Sequence, residues 1–218
     1  MEMSAENRKM KILAIHGYYQ SGAIFRSKLG SLRKGFKKIE FVFAEAPHAV
    51  PPGQFANDGE EAGGGKGWWF NTESHYFKAT EPSNLSVGYE ESLEYIEKLF
   101  QEEGPFDGIL GFSQGASFVS ILCALQQKKL SPINFKFAVL ISGFKSLCAP
   151  HEKFYDEPID LPTLHVFGES DKIIPTEMAR ELSDLFVNKK LVIHEGGHYV
   201  PSKKHIYQDF FNEMNENN

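Results

Sequence analysis

The chain reads as an α/β protein, a doubly wound parallel sheet of about six strands with helices on both faces. Three observations predict this. Short unbroken apolar runs, such as Lys11-Ile12-Leu13-Ala14-Ile15, have the pattern of strands buried on both sides. Between them lie segments whose apolar residues recur at helical spacing, so strand and helix alternate along the chain. Finally, the stretch from Phe106 to Phe118 passes from an apolar strand through Gly111-Phe112-Ser113-Gln114-Gly115 directly into a small-residue helical pattern.

Residues 1–10 are polar and charged and are expected to form a disordered leader before a single domain over 11–216. The first strand ends at His16-Gly17-Tyr18-Tyr19-Gln20-Ser21-Gly22, a turn-rich loop. A helix is expected over Ala23 to Phe36, with Phe25, Leu29, Leu32 and Phe36 on its apolar face, and a second strand over Ile39 to Ala44. Residues 47–85 then break the rhythm. Pro47, Pro51, Pro52 and Pro82, with Gly53, Gly59 and the Gly63–Gly67 run, exclude long regular elements. Yet Phe55, Trp68, Trp69, Phe70, Tyr76 and Phe77 are too many aromatics for a disordered linker. Long loops of this kind usually serve as lids or binding walls. The glycine run is not a phosphate cradle, because no strand precedes it and no Gly-Lys-Ser/Thr closes it.

Helix resumes from Val87 to Glu102 through Tyr89, Leu93, Ile96 and Phe100. The Gly-x-Ser-x-Gly strand follows, then a helix from Gln114 to about Lys129. Further strands are expected at Phe135 to Ser142, Thr163 to Gly168 and Leu191 to His194, with helices at Pro175 to Phe186 and Ile206 to Met214. There is no internal repeat.

At 218 residues, 41% of them hydrophobic and 24% charged, the composition is that of an ordinary globular domain. A net charge of −6 argues against a nucleic-acid-binding surface. Two cysteines, Cys123 and Cys148, make no disulfide framework. The first ten residues lack the apolar core of a signal peptide, and no apolar run reaches the ~18 residues of a membrane span. Cytosol is the default address, with the nucleus compatible.

A serine at the apex of a strand-to-helix elbow is held in a strained backbone conformation, with small residues needed two positions to each side. Gly111 and Gly115 meet that need for Ser113. The elbow also aims the Gln114 N–H toward an anion forming beside the hydroxyl. By composition alone the motif arises in roughly one chain in fourteen of this length, so its context decides. Acyl transfer needs a general base and a carboxylate to orient it, both just beyond the carboxyl ends of strands. Asp171 follows the fifth strand, with Glu169 as a nearby competitor. Among eight histidines, His165 and His194 fall within strands, His16 ends the first strand ahead of a turn suited to another role, His48, His75 and His151 lie in loops with no partner at a suggestive spacing, and His205 is expected at the surface near the last helix. His198 follows the last strand through Gly196-Gly197 and is the best-placed base. The order Ser113, Asp171, His198 is also that of α/β-hydrolase triads. The loop after the first strand supplies the second oxyanion donor, with the Tyr18 N–H the choice.

The set Ala14-Ile15-His16-Gly17-Tyr18, Gly111-Phe112-Ser113-Gln114-Gly115, Ile141-Ser142-Gly143-Phe144, Gly168-Glu169-Ser170-Asp171 and Gly196-Gly197-His198 resembles the FSH family of serine hydrolases. The similarity runs from about Lys11 to Phe211 and includes Trp68-Trp69-Phe70. It implies a minimal α/β-hydrolase fold without the first antiparallel strands, and carboxylic-ester hydrolysis leaning toward longer alkyl chains. Some fungal relatives act as thioesterases. Ser113, Asp171 and His198 match the family's nucleophile, acid and base. Such chemistry, on a small-molecule ester, calls for no metal or organic cofactor. Trp68, Trp69, Phe70 and Phe144 are expected to line the acyl or alcohol pocket, so that Trp69→Ala hurts long-chain esters most. A thioesterase with the same triad, a peptidase and a non-catalytic binding module are the alternatives; which protein partners the chain has is not legible.

Overall fold

The computed structural model describes residues 8–51 and 65–216; the leader through residue 7 and the Pro52, Phe55 and Gly53–Gly64 part of the long loop lie outside the described residues. The main sheet has six strands: β1 (Met10–Ile15), β2 (Ile39–Phe43), β5 (Gly108–Phe112), β6 (Phe137–Ile141), β7 (Thr163–Gly168) and β8 (Lys189–His194). They lie in the order β2-β1-β5-β6-β7-β8, and each neighbouring pair is parallel. A separate antiparallel pair, β3 (His48–Ala49) with β4 (Lys66–Gly67), occupies the long loop. The expected six-stranded parallel sheet is therefore the observed one.

Strands β5, β6 and β7 are buried along their whole lengths, which explains their unbroken apolar sequences. The edge strands β2 and β8 are only partly buried, and they carry Glu40, Lys189 and Lys190. Alternation along β1 splits the core into two layers. Leu13 and Ile15 face the layer that also holds Ile96, Phe118 and Leu182. Ile12 and Ala14 face the layer of Phe25, Leu29, Tyr207 and Phe210. Helices α3 (Tyr89–Glu103), α4 (Gln114–Gln127) and α5 (Thr176–Asp184) thus cover one face; α1 (Gly22–Lys28), α2 (Gly30–Gly35) and α6 (His205–Glu216) cover the other.

The helix expected over Ala23 to Phe36 is two short ones meeting at Leu29. Gly30 and Gly35 are poor helix formers, and no acidic residue supports either first turn. A 3-10 turn at Ala149–Phe154 was not foreseen; Pro150 at its start suits such a turn.

From β1 the chain moves outward to β2, then crosses back so that β5 lies on the other side of β1. The direction of winding reverses between β1 and β5, and a crevice opens beyond their carboxyl ends. Ser113 stands at one lip and His16-Gly17-Tyr18 at the other.

The glycines flanking Ser113 serve two different neighbours. A Cβ on Gly111 would overlap the start of α4 at Gly115 and Ala116. A Cβ on Gly115 would instead overlap the carbonyl groups of Ile15 and His16, at the end of β1. Gly115→Ala should therefore push α4 away from β1, lowering stability by at least ~1–3 kcal/mol. Urea unfolding of the variant beside the wild type measures it, and unchanged stability would show that the β1 end yields freely.

Candidate active site

Ser113 is the residue between β5 and α4, with φ 53° and ψ −120°. A positive φ is costly for a residue with a side chain. The surrounding bonds hold it there: its N–H donates to the Ile141 carbonyl (2.9 Å), and its carbonyl accepts the Ser117 N–H (3.0 Å). The side chain emerges at the sheet edge, with the residue 8% exposed.

His198 stands over it. The Ser113 hydroxyl lies 3.0 Å from His198 Nε2, and His198 Nδ1 lies 2.8 Å from Asp171 Oδ2. The imidazole also packs against Phe112, 4.8 Å between ring centres. A carboxylate only accepts, so Nδ1 carries the proton and Nε2 is left to accept from Ser113. The loops bearing Asp171 and His198 are laced together. Glu169 N–H donates to the His194 carbonyl (2.8 Å), Ser170 N–H to Gly196 (3.1 Å), and Ser170 Oγ to Glu195 (2.9 Å).

Asp171 Oδ1 accepts the backbone N–H groups of Ile173 and Ile174, each at 2.9 Å. Burial pushes its carboxyl pKa upward, but the bond from His198 and those two amides outweigh it, so it settles below the usual carboxylate value. Glu169, the competitor, is exposed.

Five of the other histidines are engaged elsewhere. His16 is buried, and burial lowers its pKa to about 4. It is neutral with a definite tautomer: Nδ1–H donates to the Gly17 carbonyl (2.8 Å), and Nε2 accepts the Ala46 N–H (3.1 Å). Burial likewise lowers His151 and His165 to about 3. His48 pairs with the Gly88 carbonyl at 2.7 Å, and the His75 ring stacks on Phe70.

The β1 turn presses against Ser113: a Cβ on Gly17 would lie 3.2 Å from Ser113 Cβ. The Gly17 carbonyl is held by His16 Nδ1–H and by Gln20 N–H (3.3 Å), and the Gly17 N–H by Gln20 Oε1 (3.3 Å). In a planar trans peptide the Tyr18 N–H must point opposite the anchored Gly17 carbonyl. On the other lip, the Gln114 N–H is the first of α4 and has no acceptor within the helix. The turn after β1 and the start of α4 thus both border Ser113.

The structure does not set the aromatic residues as an open wall. Trp68, Trp69 and Phe70 are 0% exposed and Phe144 1%, all within the core layer under α4. Trp69 packs edge-on against Phe77, Phe118 and His151, and Phe144 meets Phe77. Their enclosure corrects the expectation of a pocket lining. Trp68, Trp69 and Phe70 turn into the domain because their rings bury more favourably there than over solvent. Sequence reasoning missed what this stretch does through its polar groups: the Trp68 indole N–H donates to the His16 carbonyl at 2.8 Å. Among the described residues, no cluster of His, Cys, Asp and Glu has the makings of a metal site, and no helix is long and apolar enough to cross a membrane.

A parallel sheet wound on both faces, with a strained serine on the β5–α4 elbow bonded to a histidine and an aspartate from later loops, defines an α/β hydrolase. The chain belongs to the serine hydrolase (FSH1) family, whose profile matches residues 3–210. It is 46% identical over 217 residues to esterase OVCA2 of Danio rerio, spanning 92% of this chain and 96% of that one. Among solved structures, esterase PE8 superposes with a TM-score of 0.66 at 23% identity, over 98% of this chain and 96% of the other. Zea mays acyl-protein thioesterase 2 does so with a TM-score of 0.65 at 18% identity and the same coverage. These two likenesses are ones of fold.

Two outcomes follow from burial and charge. Trp69→Ala should cost ~3–5 kcal/mol of stability. Any folded fraction should lose activity equally on short and long esters; a selective loss on long chains would restore the pocket role. A depressed carboxylate stabilises the fold above its unfolded pKa and loses that contribution as pH falls through its folded value. Asp171→Asn should therefore be less stable than wild type near pH ~7, with the gap narrowing below about pH 4. Denaturant midpoints at the two pH values test the sign.

Proposed function

We propose that the protein hydrolyses carboxylic esters of apolar, medium- to long-chain alkyl or acyl groups through an acyl-enzyme. The observation that carries this reading is the hydrogen-bonded series Ser113–His198–Asp171, at 3.0 and 2.8 Å, in the crevice where the sheet reverses its winding.

Ser113 Oγ attacks the ester carbonyl carbon while His198 Nε2 takes the hydroxyl proton. The carbonyl π-bond electrons move to oxygen, and the resulting oxyanion is met by the N–H groups of Gln114 and Tyr18. Collapse expels the alcohol, which leaves with the proton from His198, and an ester bond to Ser113 remains. Water then repeats the sequence: His198 takes its proton, hydroxide adds to the acyl carbon, and the carboxylic acid departs as the proton returns to Ser113. Asp171 holds the imidazole in the tautomer this needs and steadies its positive charge between proton transfers. Ester and water suffice as reactants.

The apolar preference is supported by Ile173, 57% exposed on the loop after β7, and Leu147, 36% exposed on the loop after β6. Both lie on loops at the carboxyl edge of the sheet.

Ser113→Ala should abolish turnover with the fold intact by circular dichroism, and a fluorophosphonate probe should label wild type but not the variant. Asp171→Asn should lower turnover on the order of 10⁴-fold. Full esterase activity in Ser113→Ala would sink the reading. Matched esters and thioesters over a chain-length series separate an esterase from a thioesterase.

A further inference from the structure

The side chain of Gln114 takes no part in the proton transfers, yet it is fully buried and bonded at both ends. Its Oε1 accepts the Trp68 backbone N–H at 3.0 Å, and its Nε2 donates to the Trp69 carbonyl at 2.8 Å. The short stretch it grips also holds the opposite lip of the crevice. The Trp68 indole N–H donates to the His16 carbonyl (2.8 Å). Tyr19 N–H donates to the Lys66 carbonyl and Lys66 N–H to the Gln20 carbonyl, both at 2.9 Å. Ser92 Oγ donates to the Trp68 carbonyl at 2.6 Å and anchors the stretch to α3. Lys66–Trp69 is thus a splint between the start of α4 and the turn after β1.

We propose that Gln114 is a positioning residue as well as an oxyanion donor: its carboxamide locks the splint to α4 and thereby sets the spacing between the Gln114 and Tyr18 N–H groups. Trp68 is its counterpart on the β1 side. The inference rests on the oxyanion roles given to those two amides in the preceding section. Backbone donors stabilise a developing oxyanion only when already aimed at it, at ~2.7–3.1 Å. A misplacement of about 1 Å can cost ~10²-fold in rate. The two donors here belong to elements far apart in sequence, so something must hold them to that tolerance. A primary amide is suited to the task because it is neutral and offers an acceptor and a donor side by side. Methionine would fill the same space and leave the Trp68 N–H and Trp69 carbonyl unpaired.

The test begins with wild type, whose ester turnover and fluorophosphonate labelling of Ser113 are measured first. Gln114→Met should then lower kcat by about tenfold to a hundredfold with KM within about threefold. Its affinity for an alkyl boronic acid, whose tetrahedral adduct on Ser113 carries an oxygen toward the two amides, should fall in step with kcat/KM. Trp68→Phe removes the indole N–H while keeping an aromatic ring in place, at the cost of a small cavity, and should show the same split at about tenfold. Gln114→Glu should regain activity relative to wild type on acidification, because a protonated carboxyl again donates to Trp69 while accepting from Trp68. Asn71→Ala removes bonds to the Lys78 and Glu81 carbonyls elsewhere in the same segment; it should lower stability without moving kcat. A folded Gln114→Met variant with kcat within threefold of wild type, or with boronate affinity unchanged, overturns the proposal. Where that variant does not fold, Trp68→Phe decides by the same criteria. Inactive, unlabelled wild type would overturn the esterase reading and this inference together; active wild type with insensitive variants overturns this inference alone.

Discussion

The site depends on Ser113 being held where an ordinary residue would relax. At φ 53° its backbone is strained, and the strain persists because α4 is pressed against both β5 and β1. Gly111 permits the first contact and Gly115 the second, so the elbow is tied to β1 as firmly as to its own strand. That second tie brings the β1 turn beside Ser113. The Ser113 hydroxyl, the start of α4 and the β1 turn then meet at the crevice that the sheet topology leaves open.

Around that point the molecule spends its polar bonds on fixing positions. Asp171 uses one carboxylate oxygen on its own loop and the other on His198. The loops bearing Asp171 and His198 are joined by backbone bonds, so the imidazole is placed by main chain as much as by its partner. His16, at the end of β1, is a neutral brace with both nitrogens occupied. Histidine chemistry is thus divided by environment: burial keeps His16, His151 and His165 neutral, while His198 sits at the edge beside a carboxylate.

The aromatic stretch shows how a correct reading of importance can carry the wrong role. Trp68, Trp69 and Phe70 stand out in a glycine- and proline-rich loop, which points to a site wall. The rings are instead buried, and the backbone between them joins Gln114 to the turn after β1. Composition announces that the loop matters; hydrogen-bond geometry says what it holds.

The order of strands and helices, the elbow at Ser113 and the placement of Asp171 and His198 after β7 and β8 were all legible in the sequence. Each is a local matter: apolar periodicity, a strained turn that demands small neighbours, and polar residues just past strand ends. The break at Leu29 was hidden because helix spacing continues across it and only weak propensities mark it. The partners of Gln114, the neutral state of His16 and the inward fold of Trp68 and Trp69 were decided by tertiary structure alone. Each depends on groups tens of residues away in sequence, and a buried amide looks the same as an exposed one until its donors and acceptors are in place.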